Sequence, residues 1–176
     1  MLKKPLAIVC TVLGLTACAG VPPEVYRTQT PTLDLATYFD GPLTAWGYFA
    51  DRSGEVKRRF TVTMRGEWQG DRGVLTEDFA WSDGTRSQRV WRITKLDAHR
   101  YTGRADDVVG EAVGTAWGNA LQWKYTLRLP VDGKTYEVQF DDWMYLMDDT
   151  VMLNKSEMRK FGIRLGEIVI AFRKGT

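Results

Sequence analysis

The sequence predicts an all-β fold, an up-and-down antiparallel barrel of about eight to ten strands. Three observations predict it. From Leu33 to Thr176 there is almost no helical periodicity, and short segments alternate between apolar and polar residues instead. Gly, Asp and Asn punctuate these segments at the spacing of hairpin turns. The strands also follow one another directly, with no helices to cover a parallel sheet, and closure removes the edges so many strands would expose.

Taken in order, the chain opens with Lys3 and Lys4 before an apolar run from Pro5 to Leu15. A charged start and an apolar run too short to span a bilayer make the profile of a secretory signal peptide. Leu15-Thr16-Ala17-Cys18 then resembles the lipobox of bacterial lipoproteins, in which the cysteine becomes the first mature residue and carries the acyl groups. Residues 1–17 are therefore expected to be removed, and Cys18 is expected to be a lipid anchor to the membrane. Residues 18–32, with Pro22, Pro23 and Pro31 among small and polar residues, read as an acylated N-terminus and flexible tether. Residues 33–176 read as one β-barrel domain.

Removal of 17 of the 176 residues leaves 159, enough for one domain with a proper core. The chain has 24 basic and 22 acidic residues, and Lys3 and Lys4 lie in the leader, so the remainder balances at 22 against 22. That balance argues against nucleic-acid binding and against attachment to a membrane by charge. Cys10 falls in the leader and Cys18 is the expected anchor, which excludes a disulfide and a thiolate metal site. The single histidine, His99, excludes a histidine-rich one. Asp148-Asp149 has no spaced loop of oxygen ligands around it to support calcium. No cofactor is expected.

Within the domain, Leu33 to Phe39 reads as one or two helical turns at the barrel mouth, and Lys155 to Lys160 as a second exception to the strand pattern. The strands expected are Thr44 to Asp51, Val56 to Trp68, Val74 to Trp81, Ser87 to Lys95, Arg100 to Ala105, Val109 to Trp117, Ala120 to Leu129, Lys134 to Met147, Val151 to Lys155 and Ile163 to Lys174. Between them stand turns such as Arg52-Ser53-Gly54, Ser82-Asp83-Gly84, Gly118-Asn119 and Asp132-Gly133. The clearest strand alternates Leu121, Trp123, Tyr125, Leu127 and Leu129 with polar residues, and Tyr136, Val138 and Phe140 repeat the pattern. Gly110, Ala112, Gly114 and Ala116 occupy one whole face of another. Facing inward they would widen a cavity; facing outward they would let a neighbouring element approach.

Extending each apolar phase along its own strand picks out ionisable residues on the inner face. Asp142 continues Tyr136, Val138 and Phe140; Arg58 lies between Val56 and Phe60, Glu77 between Leu75 and Phe79, and Glu111 between Val109 and Val113. A buried charge needs a partner. Arg58, Glu77, Glu111 and Asp142 are read either as an interior polar cluster that fixes the head group of an apolar ligand, or as residues at the mouth and internal ion pairs with no ligand.

The runs from Tyr38 to Gly47, Asp51 to Gly54, Tyr101 to Ala112 and Phe140 to Tyr145 resemble a proteobacterial outer-membrane lipoprotein family of unknown function. The resemblance implies a lipocalin-like barrel, anchored in the outer membrane and facing the periplasm. It brings no catalytic residues. Lipocalins carry Gly-x-Trp in the first strand, whereas here four residues separate Gly41 from Trp46. Such barrels close with a first-strand Trp under a last-strand Arg, which by that likeness makes Trp46 and Arg173 the closing pair.

The function expected is binding of a fatty acid, lysophospholipid or similar amphiphile inside the barrel, for carriage or storage. Trp123, Tyr125, Leu127, Tyr136, Val138 and Phe140 would surround the acyl chain, and Arg58 would pair with a carboxylate or phosphate head group. Two alternatives stand beside it. One is an adaptor lipoprotein with a filled barrel and an exposed apolar patch; the other is an enzyme on an acyl or isoprenoid substrate, with Asp142 or Glu111 as general acid or base.

Overall fold

Ten antiparallel strands close on themselves in the computed structural model of the chain, which describes residues 20–131 and 133–175. Cys18 and the expected leader lie outside those residues. The strands are β1 (Gly41–Asp51), β2 (Val56–Gln69), β3 (Arg72–Trp81), β4 (Arg86–Lys95), β5 (Arg100–Arg104), β6 (Ala112–Trp117), β7 (Ala120–Val131), β8 (Lys134–Leu146), β9 (Val151–Lys160) and β10 (Ile163–Lys174). Each pairs with its sequence neighbour, and β1 pairs with β10 from Leu43↔Lys174 to Asp51↔Gly166. The up-and-down barrel expected from the alternation is therefore the fold.

Aspartates set several of the hairpins. The Asp51, Asp83, Asp97 and Asp148 carboxylates each accept a backbone N–H two residues on, from Ser53, Thr85, His99 and Thr150, at 2.8 to 2.9 Å. A short side chain that bonds forward in this way bends the chain without a backbone partner.

One end of the barrel is plugged. The helix α1 (Leu35–Tyr38) is a single turn, capped by Asp34, whose carboxylate accepts the Thr37 N–H at 2.9 Å. Leu33, Leu35, Tyr38 and Phe39 are buried there in one apolar cluster with Leu43, Met64, Ile93, Tyr101, Met152 and Phe172. Lys95 pairs with Asp34, and the Tyr38 hydroxyl donates to the Thr150 carbonyl at 3.0 Å. The hairpins that lead from β1 to β2, β3 to β4, β7 to β8 and β9 to β10 all lie at the other end. The expected turns of helix are thus present, but they form the floor and not the mouth.

Three further expectations are corrected. Lys155 to Lys160 continues β9, with Met152, Asn154, Ser156 and Met158 all buried in phase. Two polar residues on the inner face had hidden the two-residue period. The stretch expected as a tether is docked from Pro23 onward: Pro23–Tyr26 forms a 3-10 turn, and the Tyr26 ring packs 5.9 Å from Trp143 and 5.5 Å from Tyr145 on the outer wall. Trp46 and Arg173 do not close the barrel. Leu43 and Ala45 take the inner face of β1, which turns Trp46 outward, 46% exposed, and Arg173 is exposed opposite Thr44. Closure rests on the β1–β10 ladder and on Lys174, whose ammonium donates to the carbonyls of Thr37, Tyr38 and Asp40 at 2.7, 2.9 and 2.5 Å.

The β9–β10 hairpin turns on Phe161 and Gly162, both at positive φ, 51° and 77°. That two-residue turn favours Asn-Gly, and a phenylalanine in the left-handed region costs roughly 1 to 2 kcal/mol. Phe161 is also 87% exposed, so little packing offsets the strain. Phe161→Asn is expected to raise stability by about 1 kcal/mol in urea unfolding; an unchanged or lowered midpoint would show that the ring holds the turn.

Candidate functional site

Closure directs alternate residues of every strand into one lumen, and the plug leaves it open at a single end. The resulting cavity has a volume of about 980 Å³. Its floor is Leu35 and Phe39, and its walls carry Phe49, Phe60, Phe79, Trp81, Trp91, Trp123, Leu127, Val138, Phe140 and Ile168. This size lies at the upper end of the range for small-molecule sites, roughly 300 to 1,000 Å³.

Every aromatic and aliphatic residue expected to surround a ligand lines this cavity: Trp123, Tyr125, Leu127, Tyr136, Val138 and Phe140. Tyr136 stands nearest the mouth and is the most exposed of them. Tyr125 and Phe140 stack at 5.0 Å across the β7–β8 pair, and Trp91 meets Tyr125 edge-on at 5.4 Å.

The small-residue face of β6 points inward. It does not widen the cavity, because the Trp123 indole occupies the space; a Cβ on Gly114 or Gly103 would stand 2.4 or 2.6 Å from that ring. The same orientation removes Glu111 from the site. β6 begins only at Ala112, after Gly110 at φ +70°, and Ala112 and Ala116 are buried while Val113 is 56% exposed. Glu111 lies outside, paired with Arg104 at 3.2 Å. Val113 belongs to the outer face, and taking it as inner misplaces Glu111.

Asp142 is where its phase puts it, facing the lumen and 5% exposed. It accepts hydrogen bonds from Ser156 and, at 3.3 Å, from the Tyr125 hydroxyl, and Asn154 supports it as well. Burial nonetheless pushes its carboxyl up to about 7. Glu77 also faces the lumen, half-buried, so what water reaches it comes through the cavity. Burial raises it to about 7, with Asp107 and Asp142 adding to the shift and Arg89 opposing it.

Arg89 is not among the residues expected at the site, although it shares the phase of Trp91 and Ile93 on β4 and the same counting finds it. It sits opposite Glu77 in the β3–β4 register. Its guanidinium donates to Asp107 through Nε at 3.0 Å and Nη2 at 2.7 Å. Burial works against this charge, but Glu77, Tyr125 and Asp107 hold its proton more firmly than usual. Asp107 is positioned by the loop before β6, where the Arg128 N–H donates to its carbonyl at 2.8 Å. Glu77, Arg89, Asp107, Tyr125, Asp142, Asn154 and Ser156 thus form a polar belt inside an otherwise apolar lumen.

Arg58 stands at the mouth. It pairs with Asp83 at 2.6 Å, bonds the Thr85 hydroxyl and lies 4.0 Å over the Trp81 ring. Arg86, Arg128 and Lys160 line the same rim, and among the described residues none of them has a carboxylate within ion-pair distance. Also among the described residues, no three His, Cys, Asp or Glu converge as a metal would require.

This chain belongs to a family of proteins of unknown function, DUF3833, whose model matches residues 12–174. Among solved structures it is similar to a protein of unknown function from the DUF3598 family of Nostoc punctiforme, with 9% identity and a TM-score of 0.57 over 84% of this chain and 51% of that one. The chain therefore spans about half the length of that protein, and the likeness is one of fold. A de novo designed fluorescence-activating β-barrel is a weaker match, at 15% identity and a TM-score of 0.39 over 81% of this chain and 99% of that one. No curated protein matches.

The belt makes stability depend on pH. Below about pH 4, Asp142 holds its proton whether the chain is folded or not. Between about pH 4 and 7 the folded chain keeps a proton that the unfolded chain has lost, so stability falls as pH rises through that window and is level above it. Glu77 acts in the same direction. Asp142→Asn is expected to gain on the native chain between about pH 4.5 and 8, measured as urea unfolding at each pH; a gap that is flat or narrows would mean the carboxylate is charged when folded.

Proposed function

We propose that this protein binds a fatty acid, lysophospholipid or similar amphiphile, with its chain in the lumen and an anionic head group at the rim. The single observation that carries this reading is the cavity of about 980 Å³, walled by aromatic and aliphatic side chains and open at one end only. Each square ångström of chain removed from water there contributes about 25 cal/mol. At the rim Arg86, Arg128 and Lys160 offer charge to a carboxylate or phosphate. Arg58 would have to be shared with Asp83. The volume counts against the adaptor alternative, which needs a filled barrel.

Acid–base chemistry on the bound chain is the second reading. It is favoured by two lumen carboxyls, Asp142 and Glu77, that both titrate near neutrality. Glu111, outside the barrel, takes no part in it.

Attachment belongs to the same proposal. Acyl chains on Cys18 would hold the domain at the periplasmic face of the outer membrane, two or more of them giving stable anchoring where one is marginal. The carriage or storage of envelope lipid would then follow.

The test is native mass spectrometry of the Cys18→Ser protein, purified gently from an envelope, followed by lipid extraction. A stoichiometric amphiphile is expected, recovered unaltered. Val138→Trp, which fills the lumen, is expected to weaken displacement of a fluorescent fatty acid by about ten-fold while leaving the barrel folded. An empty native protein that takes up no fluorescent fatty acid would overturn the reading, and recovery of a chemically altered lipid would favour the second one.

A further inference from the structure

The lumen holds a buried hydrogen-bond acceptor that none of its own side chains meets. Asn154 lines the cavity from β9 at 3% exposure, bonded on one side to Asp142, and its Oδ1 has no partner. Such a buried orphan is costly unless something donates to it. Glu77 faces the same space, and among the described residues nothing donates to its carboxylate. Arg89 directs its Nε and one Nη2 N–H to Asp107, and it makes no hydrogen bond to Asn154. The donors of Ser156 and Tyr125 are both spent on Asp142.

This belt is well below the rim. Asp142 lies six residues along β8 from Tyr136, which at 3.3 Å per residue and a strand tilt near 40° is a depth of about 15 Å, roughly a dozen methylenes of an extended chain. Phe60, Phe79, Trp81, Val138 and Met158 line the apolar stretch between rim and floor. A ligand whose head group sits at the rim therefore brings the middle of its chain to the belt, where a plain methylene chain leaves Asn154 unsatisfied.

We propose that the lumen selects an amphiphile with a second, uncharged polar group along its chain, a hydroxyl, which donates to Asn154 Oδ1 beside Asp142. This rests on the amphiphile reading and narrows it to hydroxylated chains. Asn154 is the specificity-determining residue, and the plain acyl chain is the ligand it discriminates against.

The probes are stearate, 10-hydroxystearate and 12-hydroxystearate, each competed against a fluorescent fatty acid on the Cys18→Ser protein. At least one hydroxylated acid is expected to bind about ten-fold tighter than stearate. In Asn154→Leu, which keeps the size and removes the acceptor, that preference is expected to fall to less than two-fold, with stearate bound as well or better. Asn154→Ser, too short to reach, serves should the leucine variant not fold, with the same loss expected. Equal affinity for all three acids, or a preference that survives in the variants, would overturn this inference and leave the amphiphile reading standing. Binding of none of the three would overturn both.

Discussion

The pairing of β1 with β10 is the constraint on which the rest of the structure depends. Without it the sheet would be open, and the inner residues of its strands would have no common interior. With it, Ala45 faces Phe172 across the seam, and every strand contributes alternate residues to one enclosed space. The seam also holds the floor. Lys174, in the last residue pair of that ladder, donates to three carbonyls at the end of α1, where a cation is favoured by the unpaired carbonyls of a helix terminus. The residue that ends the seam therefore also holds the plug. Asp34 ties the same plug to β4 through Lys95, and Lys95 and Thr37 hold its carboxyl below the usual range although burial opposes them.

Side-chain size then decides how much of the interior stays open. Trp123 and Trp91 fill the side where β5 and β6 are short and present the small residues Gly103, Ala112, Gly114 and Ala116 inward. The seven tryptophans do not all face the lumen. Trp81, Trp91 and Trp123 line the lumen, whereas Trp143 clamps Tyr26 on the outer wall and Trp117 stacks on His99 at 3.6 Å. Aromatic mass is thus divided between the cavity wall and the outer surface of the barrel.

Much of this was legible because a barrel imposes one simple rule, alternation, on nearly every residue. Asp142, Glu77 and Arg58 were placed by it correctly, and Arg89 was within its reach. It fails where the inner face is not the bulky one. On β6 the larger, β-branched Val113 faces out and the small residues face in, since a neighbour's indole supplies the bulk; nothing local to that strand reveals Trp123 above it. It fails again where the inner face is polar, as at Asn154 and Ser156, because a hydrophobic period cannot register residues whose partners lie on other strands. The outward turn of Trp46 shows a third limit: Ala45 is a better inner residue there only because Phe172 and Phe39 already fill the space beside it.

The mouth and the N-terminal segment lie at opposite ends, and this bears on how a ligand enters. The chain runs from Pro23 along the outer wall, Leu33 donates to the Gly118 carbonyl at 2.8 Å, and α1 turns into the floor. An anchor at Cys18 would stand five residues before Pro23, a reach of at most about 18 Å. The barrel is longer than that, since strands such as β2 and β8 extend over about 40 Å before tilt. A domain held in that way would carry its mouth at the end away from such a bilayer, and an amphiphile would not enter the lumen directly from that leaflet. It would have to arrive through water or from another carrier, where the half-exposed rim of Tyr136, Val131 and Ile163 and the basic residues beside it would meet it first. A lumen that captured rare amphiphiles from solution would gain most from features that tell one chain from another, and a polar belt set deep below that rim would be such a feature.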